Sequence, residues 1–532
     1  MQHVDAKRFR PALLYPLLFA AHPALSLAAA NAGQFVLSDL LTTVAASVLA
    51  TAVLYAIVAL ILGRERRDVA ALVALLGVFG VFYVIPLSRI PAGLGVDIGR
   101  PFVVTAALSF LFALLLLGWI FVRRPALEGA TRTLMVAAVV LVCWASFSVW
   151  RNGVTSRRQI SSSDLVGDLA APVPVRPDSG IDDGAKRDIY VIVLDEFANP
   201  EILRERFRFD NSAFQDSLRQ LGFVVPSGLR SNYSQTLLSL PSLLNFAHMT
   251  ALQSELGGGT SRSYDLPRHL IEQNRTARFL RERGYRFLFF PSSWWRLTLH
   301  NPHADEEFDP LPGLSLRREL FDSEFRRTLV ESTLLGKLDL DNSADLKEHV
   351  LRTFSALEQV PARREPTFTF AHLMAPHWPY VLDSRCQTAS PEALSVPAEL
   401  EGGDRPYLEQ VACVQRLTLR LVRRILASSS PAPVIVLQSD HGSKSLNQME
   451  LDTLPGPAAL RERFGAFGAY YLPDGGAAAL GNPATIVNVM GRVLSHYFGA
   501  EVETQSDELY FSSNHRPFRL LPVDSATLAR AD

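Results

Sequence analysis

The chain has 532 residues, 48% hydrophobic and 20% charged, with 52 Lys and Arg against 53 Asp and Glu for a net charge of -1. That balance supplies no basic field of the kind nucleic-acid binding requires, so no nucleic-acid partner is expected. The averages hide two halves, a mostly apolar stretch over 11–150 and a remainder that reads as a globular enzyme, which excludes a disordered, collagenous or wholly soluble chain.

Runs without a charged residue cover 11–38, 41–63, 69–88, 101–122 and 133–150. A helix rises ~1.5 Å per residue and the hydrocarbon core is ~30 Å thick, so about 20 apolar residues span it. Five membrane helices are therefore expected, at about 11–31, 41–63, 69–88, 101–122 and 133–150, making a transmembrane domain of 1–151. Basic residues in the short loops set the orientation. Lys7, Arg8 and Arg10 precede the first run, Arg64, Arg66 and Arg67 follow the second, and Arg123, Arg124 and Arg132 follow the fourth, whereas the other two loops hold only Arg89 and Arg100. The N-terminus is thus expected in the cytoplasm and everything beyond Arg151 outside. Ala28-Ala29-Ala30 also resembles the cleavage site of a signal peptide, and loss of the first span would leave the same half exported.

Residues 152–186 are polar, with Ser161-Ser162-Ser163 and prolines at 172, 174 and 177, and read as a linker or juxtamembrane segment. From 187 to 532, short apolar runs at 189–194, 285–290, 367–373 and 434–437 have the near-continuous pattern of strands buried on both faces. Between them, 267–283, ending at Gly284, and 407–426 read as helices. This alternation implies βαβ units. The expected fold class is an α-helical five-span membrane domain followed by an α/β domain with a largely parallel central sheet. Cys143 lies in the fifth span, while Cys386 and Cys413 fall in the exported half, where an oxidising compartment favours a disulfide between them.

Ligands of open α/β sheets bind beyond the carboxyl ends of the strands. Those ends carry Asp195-Glu196, Pro291-Ser292-Ser293-Trp294-Trp295-Arg296, Pro376-His377 and Ser439-Asp440-His441-Gly442. Asp195, Asp440 and His441 make a mixed oxygen and nitrogen ligand set suited to zinc or manganese, where calcium would use oxygens almost throughout. Thr236 stands in a hydroxyl-rich stretch just ahead of an apolar helical pattern. A helix N-terminus attracts anions and a bound metal favours an alkoxide, so Thr236 reads as a nucleophile facing a phosphate or sulfate. Singly, each piece has an ordinary reading: an acid after a strand, or hydroxyls before a helix, can simply cap. Their convergence on one sheet edge favours chemistry.

The order of Asp195, Thr236, His377 and Ser439-Asp440-His441-Gly442 resembles the alkaline phosphatase superfamily in its sulfatase-like branch. Membrane spans followed by an exported domain are similar to the lipoteichoic acid synthases and the lipid A phosphoethanolamine transferases. The resemblance implies an alkaline phosphatase/sulfatase-like catalytic domain over 187–532, on the periplasmic or extracellular side of a bacterial cytoplasmic membrane. It implies one divalent ion, zinc or manganese or else magnesium, held by Asp195, Thr236, Asp440 and His441. Thr236, five residues before Pro241, takes the place of the nucleophile, and His377 that of a substrate-contacting histidine. The implied activity is transfer of phosphoglycerol or phosphoethanolamine from a phospholipid donor to a cell-surface glycan or glycolipid through a phosphothreonine intermediate. Trp294, Arg296 and Lys444 are candidates for the substrate pocket. Two departures stand out. Ser239-Leu-Pro-Ser-Leu243 lacks the cysteine and arginine of the sulfatase signature, which disfavours a true sulfatase, and no clear histidine follows His441 to hold a second metal. A membrane-anchored sulfatase or phosphodiesterase-type hydrolase with the same machinery, and a non-catalytic envelope-assembly protein, are the competing readings.

Overall fold

The computed structural model describes residues 14–31, 33–93, 100–177, 186–293, 295–309, 323–337, 343–394, 404–444, 449 and 452–529. The chain divides into two compact units: Met1–Ser156 with Ser315–Asp341, and Arg157–Leu314 with Asn342–Asp532.

The first unit contains α1 (Leu14–Ala30), α2 (Leu37–Leu62), α3 (Arg67–Phe82), α4 (Pro101–Arg123) and most of α5 (Glu128–Ser161). Among the described residues three helices, α2, α4 and α5, are long and apolar enough to cross a membrane, fewer than the five expected. α1 has 17 described residues. α3 stops at Phe82 because Pro86 has no N–H to offer the Phe82 carbonyl and its ring crowds it; the chain turns at Tyr83 and resumes as the short helix Val84–Ser88. Leu60, Ile61 and Val122 are 85%, 75% and 79% exposed, an apolar surface that water would penalise and hydrocarbon accepts. Tyr15, Phe19, Ala71, Leu75 and Val78 pack on the inside.

A helix from far along the chain, Glu324–Glu331, also belongs to this unit, so the expected 187–532 domain is interrupted. Phe325 and Leu329 pack with Ala24, Ala28 and Leu40. Arg326 pairs with Asp39 at 3.1 Å and donates to the Thr42 hydroxyl at 2.9 Å. The expected linker also differs from what is found: α5 runs on to Ser161, and α6 (Asp164–Ala170) follows at once. Ser163 is its N-cap, accepting from the Val166 N–H at 3.0 Å while donating to Glu255 at 2.6 Å. A serine run that looks like a loop is here a helix cap.

The second unit is built on a six-stranded sheet of β1 (Ile189–Leu194), β2 (Arg286–Phe290), β3 (Glu306–Glu307), β4 (Thr367–Leu373), β5 (Val434–Gln438) and β6 (Gly468–Tyr471), in the order β3-β2-β4-β1-β5-β6. All pairings are parallel except β5 with β6. Every residue of the central β1 is buried, because helices cover both faces. Ile189, Val191 and Val193 enter one core with Leu237 and Leu240 of α7 (Thr236–Asn245); Tyr190, Ile192 and Leu194 enter the other with Leu417 and Leu421 of α8 (Asp404–Ser428). The helix expected over 267–283 is two, Asp265–Glu272 and Arg275–Arg281, because the Asn274 side chain caps the second by accepting from Ala277 at 2.8 Å. A disulfide joins Cys386, in the loop after β4, to Cys413 of α8, with Cα atoms 5.1 Å apart.

Candidate active site

Parallel register sets Leu194 beside Leu373 and Val193 beside Gln438, so the residues leaving β1, β4 and β5 emerge together. The Asp195 N–H donates to the Leu373 carbonyl at 2.9 Å, and the Glu196 N–H to Asp440 Oδ1 at 3.3 Å. After β5 the chain lies against the end of α9 (Pro457–Phe464), with the Gly442 N–H donating to the Arg463 carbonyl at 2.8 Å. A Cβ on Gly442 would sit 2.0 Å from the Glu462 carbonyl, so only glycine permits this approach.

One ligand atom from each of Asp195, Asp440 and His441 lies within 4.8 Å of the others, and all three residues are buried. Thr236, the first residue of α7, places Oγ1 2.9 Å from His441 Nε2. His441 Nδ1 is 3.1 Å from the Gly442 carbonyl, an acceptor that favours the Nδ1–H tautomer and so an Nε2 lone pair facing the cluster. Asp195 Oδ2 accepts from His372 Nε2 at 3.1 Å, and the Thr298 hydroxyl donates to His372 Nδ1 at 2.7 Å. Burial lowers the His372 pKa to about 4, so its ring is neutral.

Asp195 Oδ1 and Asp440 Oδ2 are buried without a hydrogen-bond partner, although the latter lies 3.0 Å from His441 Nε2. Orphaned carboxylate oxygens are costly inside a protein. Two of them beside an imidazole lone pair fit a divalent cation of the zinc or manganese type. Burial, and next the charge of Asp440, push the Asp195 carboxyl up to about 7. Burial would raise Asp440 too, but in the metal-free site a protonated His441 facing it outweighs burial and, with Thr236, holds its carboxyl well below the usual carboxylate range. Two carboxyls driven apart in this way resist ionising together until a cation joins them.

Glu196 turns away from the cluster, from a backbone in the left-handed region (φ 60) that costs a non-glycine residue about 1 kcal/mol. Its Oε1 accepts from Arg463 Nη1 at 2.6 Å and lies 3.9 Å from His377 Nε2 and 4.0 Å from Lys444 Nζ. Burial opposes ionisation, but the charges of His377, Lys444 and Arg463 hold its pKa down at about 2. Arg463 also donates to the Ser234 carbonyl at 2.6 Å, to the Gly442 carbonyl at 3.1 Å and to His441 Nε2 at 3.0 Å. It therefore ties the approach to Thr236, the turn after β1 and the Asp440-His441-Gly442 loop together.

Asp195, Thr236, Asp440 and His441 are thus brought together, and His377 and Lys444 adjoin them through Glu196. Trp294 lies outside the described residues, and Arg296 opens the short turn Arg296–Thr298 with its side chain likewise outside what is described. Trp295 packs against the core, its ring 6.2 Å from that of His372. The Ser239 hydroxyl is engaged by Ser231 at 3.0 Å and the Tyr233 carbonyl at 3.2 Å. His300, His303 and His515 contact Glu307, Gln273 and Arg262. Sequence reasoning missed His372, Thr298 and Arg463. A polar histidine in the otherwise apolar run of β4 was the one visible signal; Arg463 sits in an ordinary charged helix.

No family model and no curated protein matches the sequence. Solved structures do match. The C-terminal periplasmic domain of EcEptC from Escherichia coli is 11% identical with a TM-score of 0.43, covering 67% of this chain and 97% of its own. The lipoteichoic acid synthase LtaP from Listeria monocytogenes is 12% identical with a TM-score of 0.36, covering 65% and 83%. The C-terminal periplasmic domain of phosphoethanolamine transferase EptC from Campylobacter jejuni is 12% identical with a TM-score of 0.37, covering 60% and 92%.

Proposed function

We propose that this chain is a membrane-anchored, metal-dependent phosphotransferase. It moves phosphoglycerol or phosphoethanolamine from a phospholipid to a hydroxyl of a cell-surface glycan or glycolipid, by way of Thr236. The observation that carries the proposal is the Thr236 hydroxyl 2.9 Å from His441 Nε2, beside the buried cluster of Asp195, Asp440 and His441. Asp195, Thr236, Asp440 and His441 would hold a divalent ion, which would lower the hydroxyl pKa and offset charge on the non-bridging phosphoryl oxygens.

The protein's own groups do the rest. Thr236 Oγ1 and His441 Nε2, 2.9 Å apart, would share that ion, which fixes the hydroxyl in place, and the N-terminus of α7 favours an anion there. Thr236 Oγ forms a bond to phosphorus as the bond from phosphorus to the diacylglycerol oxygen breaks. The proton lost by Thr236 matches the one gained by diacylglycerol, with His377, beside Glu196, as carrier. An acceptor hydroxyl then attacks the phosphothreonine and loses its proton to the same carrier, which returns it to Thr236 Oγ as the bond from that oxygen to phosphorus breaks. Lys444 and Arg463 add positive charge beside the arriving anion.

Five crossings, with α1 and α3 beside α2, α4 and α5, support export of the part beyond α5 from a cytoplasmic N-terminus. The Glu324–Glu331 helix, inserted between stretches of the second unit, packs near the C-terminal end of α1 and the N-terminal end of α2. That packing supports an outward position for those ends, with the N-terminus cytoplasmic. The test is incubation of purified protein with head-group-labelled phosphatidylglycerol or phosphatidylethanolamine and a glycan acceptor. Label on the acceptor is expected; release of free glycerol phosphate or phosphoethanolamine alone would replace transfer with hydrolysis.

A further inference from the structure

We infer that the first unit holds a groove for one acyl chain of a membrane phospholipid, between α2, α3 and the Glu324–Glu331 helix. The inference deepens the donor assignment proposed above and rests on it for its kinetic consequence. The groove is a cavity of about 600 Å³ lined by Thr42, Ala50 and Leu54 of α2, Gly77 and Val81 of α3, and Leu329. Pockets of roughly 300–1,000 Å³ suit drug-sized ligands.

Its chemistry is graded along its length. The hydroxyls of Ser47 and Thr51, also in its wall, donate to carbonyls of their own helix, Thr43 at 3.0 Å and Ser47 at 2.8 Å, so small apolar surface faces the space. At one end Arg326 joins Asp39 and Thr42 in a polar cluster. From Thr42 to Leu54 the helix rises about 18 Å, close to the roughly 15 Å hydrocarbon depth of one leaflet. α2 is among the helices able to cross a membrane, so a groove along it opens to hydrocarbon, where lipid tails are the abundant solute. A polar end, an apolar shaft and a one-leaflet length together match a phospholipid, its tail in the shaft and its phosphate beside Arg326. The topology proposed above puts that end in the outward leaflet.

The test uses the full chain in vesicles of phosphatidylglycerol and phosphatidylethanolamine, doped with phosphatidylglycerol carrying a photoreactive diazirine in one acyl chain. Illumination should label peptides covering 42–54, 77–82 and 329–335 well above those of α4, whose Phe110 and Phe112 are simply exposed. Labelling spread evenly over all apolar helices, or cross-links between two copies of the chain in place of lipid adducts, would overturn the inference. Ala50→Trp fills the shaft from an exposed backbone position and should cut that labelling. It should also raise KM for long-chain phosphatidylglycerol about tenfold, equivalent to losing burial of roughly two methylenes, and leave hydrolysis of water-soluble bis(p-nitrophenyl) phosphate unchanged. Leu49→Trp, one position round the same helix, should change neither. Equal loss on both substrates at unaltered labelling would contradict the groove. Focused labelling by a protein inactive on every phosphodiester would keep the groove and remove the proposed function.

Discussion

Replacing Arg463 with methionine tests the architecture of the site while leaving Thr236, Asp195, Asp440 and His441 themselves unchanged, although it removes the Arg463 contact to His441 Nε2. Arg463 is 7% exposed and Glu196 3%, and the 2.6 Å contact between them is the shortest that Glu196 makes to a cation. Removing one member of a buried pair leaves the other charge stranded, at a cost of about 3–5 kcal/mol. Lys444 and His377, at 4.0 and 3.9 Å, soften that loss, so Arg463→Met should fall near the lower end, about 3 kcal/mol. If the stranded carboxylate is the cause, adding Glu196→Gln should recover at least about 1 kcal/mol, the sign of coupling between contacting residues. Pulse proteolysis across a urea series, at pH 7 with metal chelated, reads the second unit separately from the membrane helices. A loss below about 1 kcal/mol for Arg463→Met, or no recovery in the double variant, would refute the reasoning.

His372→Ala removes the donor that orients Asp195 and should weaken zinc binding about 10–100-fold in competition with a chelator, with little change in the affinity for soluble diester. Because Asp195 titrates near 7 against 3.8 for a free carboxyl, metal entry displaces a proton at lower pH; zinc affinity should fall about tenfold per pH unit below 7 and flatten above it, read by calorimetry in buffers of different ionisation heat. By the same sign, metal-free protein should lose stability as pH rises from about 4 to about 7, since the folded carboxyl keeps a proton that the unfolded chain has released. Opening the Cys386–Cys413 link, which spans 27 residues, should cost about 3–4 kcal/mol by loop entropy in the urea series of a Cys386→Ser, Cys413→Ser variant.

The four long parallel strands were legible because burial on both faces demands unbroken apolar runs, and 189–194 and 367–373 match β1 and β4 to the residue. β3 has two residues and β6 reads Gly-Ala-Tyr-Tyr, too short and too mixed to announce pairing. Charge-free length cannot tell a crossing helix from one cut at Pro86, nor reveal that Glu324–Glu331 leaves the exported part of the sequence to pack on Leu40. Asp195, Thr236, Asp440 and His441 stood out because strand ends and a helix start put them there. The choice of Asp195 over Glu196 depends on which way each side chain leaves β1, a one-residue alternation that spacing alone leaves open. Arg463 was silent because its partners come from three separate loops.

The most direct measurement is mass spectrometry of peptides from protein quenched during turnover with phosphatidylglycerol or phosphatidylethanolamine. A phosphoglycerol or phosphoethanolamine adduct is expected on Thr236 in the native chain and in Ser239→Ala, and on no residue in Thr236→Ala, which should also be inactive. An adduct on Ser239, or full turnover by Thr236→Ala, would contradict the account.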